Sequence, residues 1–329
     1  MRLAEEIALT FALGDVRDDL VPAALGWGGH NKVFRLETAT GSWAIKQLGR
    51  RPAPDAEAPF AIEMAAYEGG VPMAPPVPTT AGGCWAEIGP VLFRCHGWVD
   101  GSAAKENEET SPPEARAMGR IVAQLHRLAI PCSLRRESDL SMDADRWMRL
   151  AAAGRGRHTG WANRIVEQVE SLARIAAGPT PAELGGDELV GSHRDLNAHN
   201  VLFSEGGLHL VDWDSAGPAG PRWERVDFAL RWAERPGGRY DEGVLKAFLL
   251  GYLDGGGILS RDDPAIVAAA PAALVPWVVQ NLEMAIEARS DDQDRLAAVL
   301  TEGLLAMPET VTQRQKALVR CLSRLGFEQ

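Results

Sequence analysis

The sequence predicts an α+β fold built from two lobes, and the distribution of strand and helix patterns along its 329 residues supports that prediction. The first third of the chain has mainly strand patterns, whereas the remainder shows the apolar spacing of helices. A strand-rich part followed by a helix-rich part implies two lobes with a cleft between them. We assign residues 1–95 to the N-terminal lobe and residues 96–329 to the C-terminal lobe.

The N-terminal lobe is expected to be an antiparallel sheet with flanking helices. Met1–Leu25 has the charge and apolar pattern of an amphipathic helix. Lys32–Glu37 and Ser42–Leu48 are strand-like runs joined by a short hairpin connection. Ala58–Tyr67 has helical character and is followed by a glycine pair that ends it. Val91–Val99 has the pattern of a further strand.

The C-terminal lobe is expected to be mainly helical. Ser111-Pro-Pro-Glu114 forms a capping box, and its prolines fall in the first turn, where their missing N–H groups do no harm. Ile165–Ile175 marks another amphipathic helix. Val201–Phe203 and Leu208–Trp213 have the pattern of two short strands about a glycine turn. After them the pattern is helical almost to the end of the chain.

Composition narrows the class of protein. The net charge of −11 argues against nucleic acid as the main partner, because proteins that bind phosphate backbones are usually basic. An acidic cleft for a cationic ligand and a generally acidic surface both remain open as explanations. The four cysteines form no C-x-x-C pair, so neither zinc nor a disulfide framework is expected. No segment suggests a signal peptide or a membrane span, so we expect a cytoplasmic protein without membrane attachment.

The most informative stretches are Ser192–Phe203 and Leu210–Asp214, which place three polar side chains at the ends of apolar strands. Phosphoryl transfer requires positioned magnesium, a group that orients the attacking hydroxyl, and cations on the phosphates. Asp195 can accept a hydrogen bond from the hydroxyl, while Asn200 and Asp212 can bind Mg²⁺, which favours oxygen ligands. A capped loop beside a hairpin is the alternative explanation.

These stretches resemble the aminoglycoside phosphotransferase and choline kinase group, relatives of the protein kinases, from about Leu25 to Trp232. The resemblance implies a bilobal, protein-kinase-like fold. It makes Asp195 the catalytic base or hydroxyl-orienting group and makes Asn200 and Asp212 the magnesium ligands. For Asp214 it leaves two roles open, metal binding through water and capping of the following loop.

The resemblance extends upstream to a nucleotide site. Gly28, Gly29 and Asn31 precede a strand, as in the family's nucleotide loop, where glycines allow the backbone close to phosphates. Trp43-Ala-Ile-Lys46 resembles the strand that carries the phosphate-binding lysine. The family pattern pairs this lysine with Glu63 on the following helix, and Glu68, at the end of that helix, is the competing candidate. ATP, or alternatively GTP, and Mg²⁺ are the implied cofactors.

The resemblance implies three further roles that do not act on the transferred phosphoryl group. Phe93–Trp98 is expected to link the lobes and to bind adenine through backbone groups. His193 is expected to fix the catalytic loop by hydrogen bonds, and Asp227 to brace it. Arg194 departs from the smaller residue that is common before the catalytic aspartate and resembles the protein-kinase form.

The acceptor is expected to be a small molecule with a hydroxyl group. Only nine residues separate Asp214 from Glu224, and the A-P-E motif of the protein-kinase activation segment is missing. Glu283 and Glu287 lie four residues apart and are candidates for binding an amine-bearing acceptor. Three functions remain open: an antibiotic or secondary-metabolite kinase, a metabolic kinase for a sugar, amino alcohol or amino acid, and a nucleotide-binding pseudokinase. The protein is expected to be a monomer or a homodimer.

Overall fold

The structure, a computed structural model, describes residues 2–23, 32–49, 57–104, 109–132, 142–155, 160–186, 188–288 and 290–327. Within these ranges the chain forms the two parts that the sequence predicts. An antiparallel sheet with two helices comes first, and a largely helical region follows it.

The N-terminal part is a six-stranded antiparallel sheet with strand order β1-β2-β3-β6-β4, in which β5 also pairs with β6. Helix α1 packs against β5 and shares an apolar core with the sheet. The elements, in chain order, are α1 (Leu3–Thr10), β1 (Val21–Pro22), β2 (Lys32–Glu37), β3 (Ser42–Leu48), α2 (Glu57–Glu68), β4 (Pro76–Val77), β5 (Ala86–Ile88) and β6 (Val91–Gly97).

The predicted hairpin of β2 and β3 is confirmed, whereas the prediction of one long N-terminal helix is wrong. Helix α1 ends at Thr10, and the next residues leave helical geometry. Ala12 and Gly14 have φ angles of 55° and 81°, which lie in the left-handed region. A right-handed helix cannot continue through that backbone, so the chain turns and enters the sheet at β1.

Strand β6 is the central strand of this part and pairs with β3 from Trp43↔Gly97 to Leu48↔Leu92. Most of Phe93–Trp98, the segment expected to link the lobes, therefore belongs to the sheet. The predicted boundary after residue 95 falls inside β6 and stays a prediction. The register sets Lys46 directly opposite Arg94, so both side chains lie on the same face of the sheet.

The C-terminal part contains helices and three short antiparallel sheets, β7-β9-β10, β8-β11 and β12-β13. Its elements are β7 (Ser102–Ala103), α3 (Pro112–Arg127), α4 (Ala144–Arg155), α5 (Gly160–Glu167), α6 (Val169–Ala176), α7 (Pro181–Gly185), β8 (Val190–Ser192), β9 (Val201–Ser204), β10 (Gly207–Leu210), β11 (Gly217–Ala219), α8 (Pro221–Ala233), β12 (Glu234–Arg235), β13 (Arg239–Tyr240), α9 (Glu242–Asp254), α10 (Asp263–Ile266), α11 (Ala270–Ala288) and α12 (Asp291–Arg324).

Of two helices predicted in this part, one begins where the sequence indicates and the other is divided in two. Helix α3 begins with the predicted capping box, in which Ser111 and Glu114 satisfy each other's backbone N–H groups. The helix predicted over Ile165–Ile175 is instead two helices, α5 and α6, because Gln168 leaves helical geometry with φ −119° and ψ 18°.

Two apolar clusters organise the C-terminal part. The first joins α3, α8 and α9 beneath the segments that carry the predicted catalytic residues, and the second joins α4, α5, α6, α11 and the start of α12. Helices α3 and α9 approach closely because Gly119 and Gly251 face the partner backbone. A Cβ atom at Gly119 would lie 2.1 Å from Phe248 O, and one at Gly251 would lie 2.0 Å from Arg116 O.

The stretch Asp263–Glu287 is long and apolar enough to cross a membrane by length and composition alone, with a mean hydropathy of 1.6 over its most apolar window. Half of that window is buried inside the protein. Within α11, Val275, Val278 and Leu282 are buried in the second apolar cluster. Burial in this cluster accounts for the apolar composition of the stretch.

Candidate active site

The loop between β8 and β9 holds the predicted catalytic carboxylate by hydrogen bonds from two nearby amides. Asn200 Nδ2 donates to Asp195 Oδ2 at 2.9 Å and to the Asp195 carbonyl at 2.8 Å. Asn197 Nδ2 donates to the other carboxylate oxygen, Oδ1. Hydrogen bonds from N–H donors to both carboxylate oxygens fix the orientation of the group. Asp195 is therefore held as an oriented hydrogen-bond acceptor.

His193 joins this loop to the segment after β10, as the sequence predicts. Its Nε2 donates to the Val211 carbonyl at 3.0 Å, and its Nδ1 accepts from the Asp195 N–H at 3.3 Å. The ring is buried and lies 4.6 Å from the ring of Trp213, measured between centroids. Because both ring nitrogens are engaged, His193 has a structural role within the loop.

The backbone conformation before Asp195 is unusual for a residue with a long side chain. Arg194 has φ 67°, in the left-handed region that glycine adopts with least cost. The Arg194 guanidinium lies against Gly217 of β11, where an added Cβ would come within 3.0 Å of its Nη1. The departure from the family pattern at position 194 therefore places a long cation in a strained backbone position, against a strand that has no side chain there.

Asp212, two residues after the end of β10, also has left-handed backbone, with φ 64°. Lys46 extends from β3 and donates to Asp212 Oδ1 at 2.7 Å and to Asp214 Oδ2 at 2.6 Å. Burial alone would lower the pKa of Lys46, but the two carboxylates outweigh it and raise the pKa above its ordinary value. Lys46 is therefore a cation that joins the sheet to residues 212–214 of the C-terminal part, here called the acidic segment.

The direct ion pair between Lys46 and Glu63 that the resemblance implies is wrong for this structure. Glu63 faces inward from α2 and is fully buried, but its Oε1 lies 2.8 Å from His96 Nε2 and its Oε2 accepts from Arg94 Nη2. The physical reason is the register of β3 and β6. Arg94 stands opposite Lys46 and pairs with Glu63, whereas Lys46 pairs with Asp212 and Asp214.

Arg94 is a site residue that the sequence analysis missed. Its Nη1 donates to Asp214 Oδ1 at 2.7 Å while its Nη2 donates to Glu63, and only 7% of the residue is exposed. Arg94 lies within Phe93–Trp98, for which the resemblance implies backbone contacts with adenine. A charged residue within the apolar run Val91–Cys95 was the available signal, because an arginine in a buried strand needs a partner.

Helix α8 supports the catalytic loop from the other side. Trp232 Nε1 donates to the Leu196 carbonyl at 2.8 Å. Arg231 Nη1 donates to Asn197 Oδ1 at 3.4 Å, and Arg231 Nε lies 2.8 Å from Asp227 Oδ2. Asp227, which the sequence predicts to brace the loop, therefore acts through Arg231. A cavity of about 90 Å³ opens beside Asn197 and Arg231.

The donor atoms near Asp195 fit a hard cation such as Mg²⁺. The Nδ2 of Asn200 is committed to Asp195, which leaves its Oδ1 available, and no described residue donates to Oδ2 of Asp212. No cluster of three His, Cys, Asp or Glu side chains suited to a metal occurs in the described ranges. Magnesium in nucleotide sites uses few protein ligands and completes its shell with phosphate oxygens and water, so an amide and a carboxylate suffice.

For the predicted nucleotide-loop residues and the predicted acceptor carboxylates, the structure gives no contact that indicates a role. Gly28, Gly29 and Asn31 lie outside the described residues. Glu283 and Glu287 are exposed on α11, whose apolar side packs on α4, α6 and α12. No described hydrogen bond or ion pair involves either carboxylate, so their role in acceptor binding stays a prediction.

The fold is shared with solved kinases. A spectinomycin phosphotransferase, APH(9)-Ia, in complex with ADP and spectinomycin matches with a TM-score of 0.63 and 14% identity over 94% of this chain and 98% of its own. The amicoumacin kinase hAmiN, in complex with AMP-PNP, Ca²⁺ and Ami, matches with a TM-score of 0.62 and 14% identity, covering 92% of this chain and 91% of its own.

A choline/ethanolamine kinase family protein from Mesorhizobium loti matches with a TM-score of 0.57 and 16% identity, covering 96% of this chain and 98% of its own. These matches confirm the predicted bilobal, protein-kinase-like fold. A search of curated proteins found no match. The sequence model of the phosphotransferase enzyme family matches residues 23–258, which is more than half of the chain. The chain therefore belongs to the phosphotransferase enzyme family, and it is a small-molecule kinase, as its motifs predict.

Proposed function

We propose that this enzyme transfers the terminal phosphoryl group of ATP, or alternatively of GTP, to a hydroxyl group of a small molecule. The observation that carries the proposal is the Asp195 carboxylate, oriented by Asn197 and Asn200. The adjacent pair of Lys46 and Asp212 supplies a cation suited to a triphosphate and a carboxylate suited to its metal. Solved structures of the fold that contain ADP or AMP-PNP support nucleotide binding.

The reaction that these residues support is a direct displacement at the terminal phosphorus. The acceptor oxygen forms a bond to phosphorus, and the bond from phosphorus to the β,γ-bridging oxygen breaks, so the nucleoside diphosphate leaves. The hydroxyl proton passes to Asp195, which is held as an acceptor by the two amides. Lys46, which is protonated, neutralises phosphate charge by exchanging its carboxylate partners for phosphate oxygens.

Asn200 Oδ1 and Asp212 would hold Mg²⁺, which supplies electrostatic stabilisation of the phosphate oxygens when bound. Asp212 is suited to this role because one of its oxygens is paired with Lys46 and the other has no described donor. Transfer of Lys46 to the phosphates releases the first oxygen as well. The lysine and the metal ligand are thus coupled by one hydrogen bond.

For the acceptor we propose a hydroxylated, amine-bearing compound, with an antibiotic or related natural product as the first candidate. Spectinomycin and amicoumacin are the named ligands of two solved relatives in fold. The net charge of −11 also favours capture of a cation. Glu283 and Glu287 are exposed on α11, and we propose them as the carboxylates that attract the amine. A metabolic amino alcohol is the second candidate, since a choline/ethanolamine kinase family protein shares the fold.

The test is a panel of acceptors assayed by release of ADP and by the mass of the phosphorylated product. The panel contains cationic antibiotics, neutral sugars and nucleosides, and choline-like alcohols. We expect a preference for amine-bearing acceptors, with a Michaelis constant that rises with salt because exposed charges are screened beyond ~10 Å at 0.1 M. Preference for a neutral acceptor, with no salt dependence, contradicts the proposed acceptor and leaves phosphoryl transfer intact.

Two further outcomes distinguish the alternatives. Turnover confined to choline-like alcohols favours a metabolic kinase. Binding of nucleotide without turnover of any acceptor favours a pseudokinase, although Lys46, Asp195, Asn200 and Asp212 are all present. A variant in which Glu283 and Glu287 are both changed to glutamine separates the acceptor site from chemistry. It should raise the Michaelis constant for a cationic acceptor and leave nucleotide affinity unchanged.

A further inference from the structure

Lys46 and Arg94 form a pair of neighbouring cations on one face of the sheet. They are directly opposed in the β3–β6 register, and the Lys46 and Arg94 side chains are 11% and 8% exposed. Two cations brought together in a buried place repel each other unless acidic groups separate them. Three carboxylates, Glu63, Asp212 and Asp214, surround the pair.

The two aspartates of the acidic segment differ in how they are used. Both oxygens of Asp214 are taken, Oδ1 by Arg94 Nη1 at 2.7 Å and Oδ2 by Lys46 Nζ at 2.6 Å. Within the described part of the chain, Asp212 has a partner at Oδ1, which is Lys46, and none at Oδ2. A carboxylate whose two oxygens accept charged N–H groups is a poor metal ligand, because binding a cation there requires the loss of those hydrogen bonds. Asp212 is therefore the better ligand of the two.

Arg94 is itself fixed from the opposite side. Its Nη2 donates to Glu63, which α2 buries completely, and the Glu63 carboxylate also contacts His96. The guanidinium lies 5.8 Å from the Phe60 ring centroid, also on α2. One guanidinium thus joins α2 to Asp214, and this connection does not pass through Lys46.

We propose that Arg94 is a positioning residue that ties Asp214 to helix α2 and keeps this carboxylate out of the metal site. The proposal rests on the proposed function, since it concerns how the nucleotide site is organised. When Lys46 moves to the phosphates, Asp214 keeps its bond to Arg94 and α2 stays attached to the acidic segment. Asp214 then serves neither of the two roles considered from sequence, metal binding through water or loop capping; it is the anchor of this bridge.

The experiment measures the Mg²⁺ dependence of AMP-PNP binding by calorimetry, so it requires no acceptor. Wild type and Asp214→Asn should have half-saturating Mg²⁺ concentrations within about twofold of each other, because Asp214 is not a ligand. Asp212→Asn should raise the Mg²⁺ requirement at least tenfold. Arg94→Met removes the guanidinium that holds Asp214 Oδ1 and should lower the half-saturating Mg²⁺ concentration. The double variant Arg94→Met with Asp214→Asn should return it to the wild-type value.

A tenfold higher Mg²⁺ requirement in Asp214→Asn overturns the proposal, because it makes Asp214 a ligand. A shift in Arg94→Met that persists unchanged in the double variant also overturns it, because Arg94 then acts elsewhere. If thermal unfolding shows that Arg94→Met does not fold, Arg94→Lys replaces it in the experiment. Lysine preserves the charge but cannot contact Asp214 and Glu63 through two separate nitrogens. Arg35→Met is the matched control on the neighbouring strand β2.

The two proposals fail in different ways. Binding of AMP-PNP with the expected Mg²⁺ pattern but without turnover of any acceptor removes the proposed function and retains the Arg94 bridge. Turnover by wild type combined with a Mg²⁺ requirement that rises in Asp214→Asn retains the function and removes the bridge. Failure of wild type to bind AMP-PNP at any Mg²⁺ concentration contradicts both.

Discussion

The two sides of the site are held together by different kinds of interaction. On the C-terminal side, Asp195 is fixed by amides two and five residues further along the chain. On the sheet side, Lys46, Arg94 and Glu63 come from three separate elements and are held by ion pairs that cross to Asp212 and Asp214. The first side is a local hydrogen-bonded loop, and the second is a charge network that depends on tertiary packing.

Because of this difference, the site can be rigid around Asp195 and adjustable around Lys46. The hydrogen bonds that the Asn197 and Asn200 amides donate to Asp195 need not change when a triphosphate binds, so the carboxylate that we propose as proton acceptor is preorganised. The bonds of Lys46 to two carboxylates compete directly with phosphate oxygens, so the network can exchange partners. For Asp214, burial alone would raise the pKa, but Lys46 and Arg94 lower it below its ordinary value.

The largest effect on the charge network is expected from Asp212→Asn, which removes the carboxylate that we propose as metal ligand. Turnover should fall by at least about 10²-fold, equivalent to roughly 3 kcal/mol of transition-state stabilisation. The measurement is kcat at saturating nucleotide and acceptor over a series of Mg²⁺ concentrations. Asp292→Asn, at an exposed position of α12, is the control. Retention of wild-type Mg²⁺ dependence removes Asp212 from the metal site.

A smaller effect is expected from Lys46→Met, which removes one charged contact to the phosphates. The loss of a charge-assisted hydrogen bond, about 1.5–3 kcal/mol, should weaken nucleotide binding or kcat/KM by roughly 10–100-fold. Calorimetric titration with AMP-PNP and steady-state kinetics measure the two quantities. Lys246→Met, on the exposed side of α9, should change neither. Equal nucleotide binding and kcat/KM in Lys46→Met and wild type contradict the phosphate-binding role.

The smallest effect is expected from Arg231→Met on the hydrogen-bonded side. Arg231 acts on Asp195 only through Asn197, so the loss of about 1 kcal/mol predicts roughly a fivefold lower kcat. Nucleotide affinity should not change, because Arg231 does not touch the sheet-side network. Arg239→Met, in the exposed β13 strand, is the matched control. A loss in nucleotide affinity equal to the loss in kcat contradicts the division of the site into two sides.

The same division explains what the sequence could predict. Asp195, Asn200 and Asp212 lie within eighteen residues, so strand ends and a tight loop place them together whatever the rest of the fold does. The capping box of α3 and the β2–β3 hairpin are equally local and were predicted with nearly correct bounds.

The sequence could not predict the partners of Lys46, because they depend on which residue of β6 faces it. A shift in the pairing of β3 and β6 would place another residue opposite Lys46, so Arg94 follows from register and not from a motif. The early end of α1 depends on left-handed backbone at Ala12, which L residues adopt only when the surrounding structure holds them there.

The central claim is that Asp195 receives the proton of an acceptor hydroxyl, and Asp195→Ala tests it most directly. We expect kcat at saturating substrates to fall ~10²–10⁴-fold, while the dissociation constant for AMP-PNP with Mg²⁺ changes little. Circular dichroism and thermal unfolding should establish that the variant folds. Near-normal kcat in a folded Asp195→Ala protein would contradict the account, because the best-oriented carboxylate of the site would then have no part in the transfer.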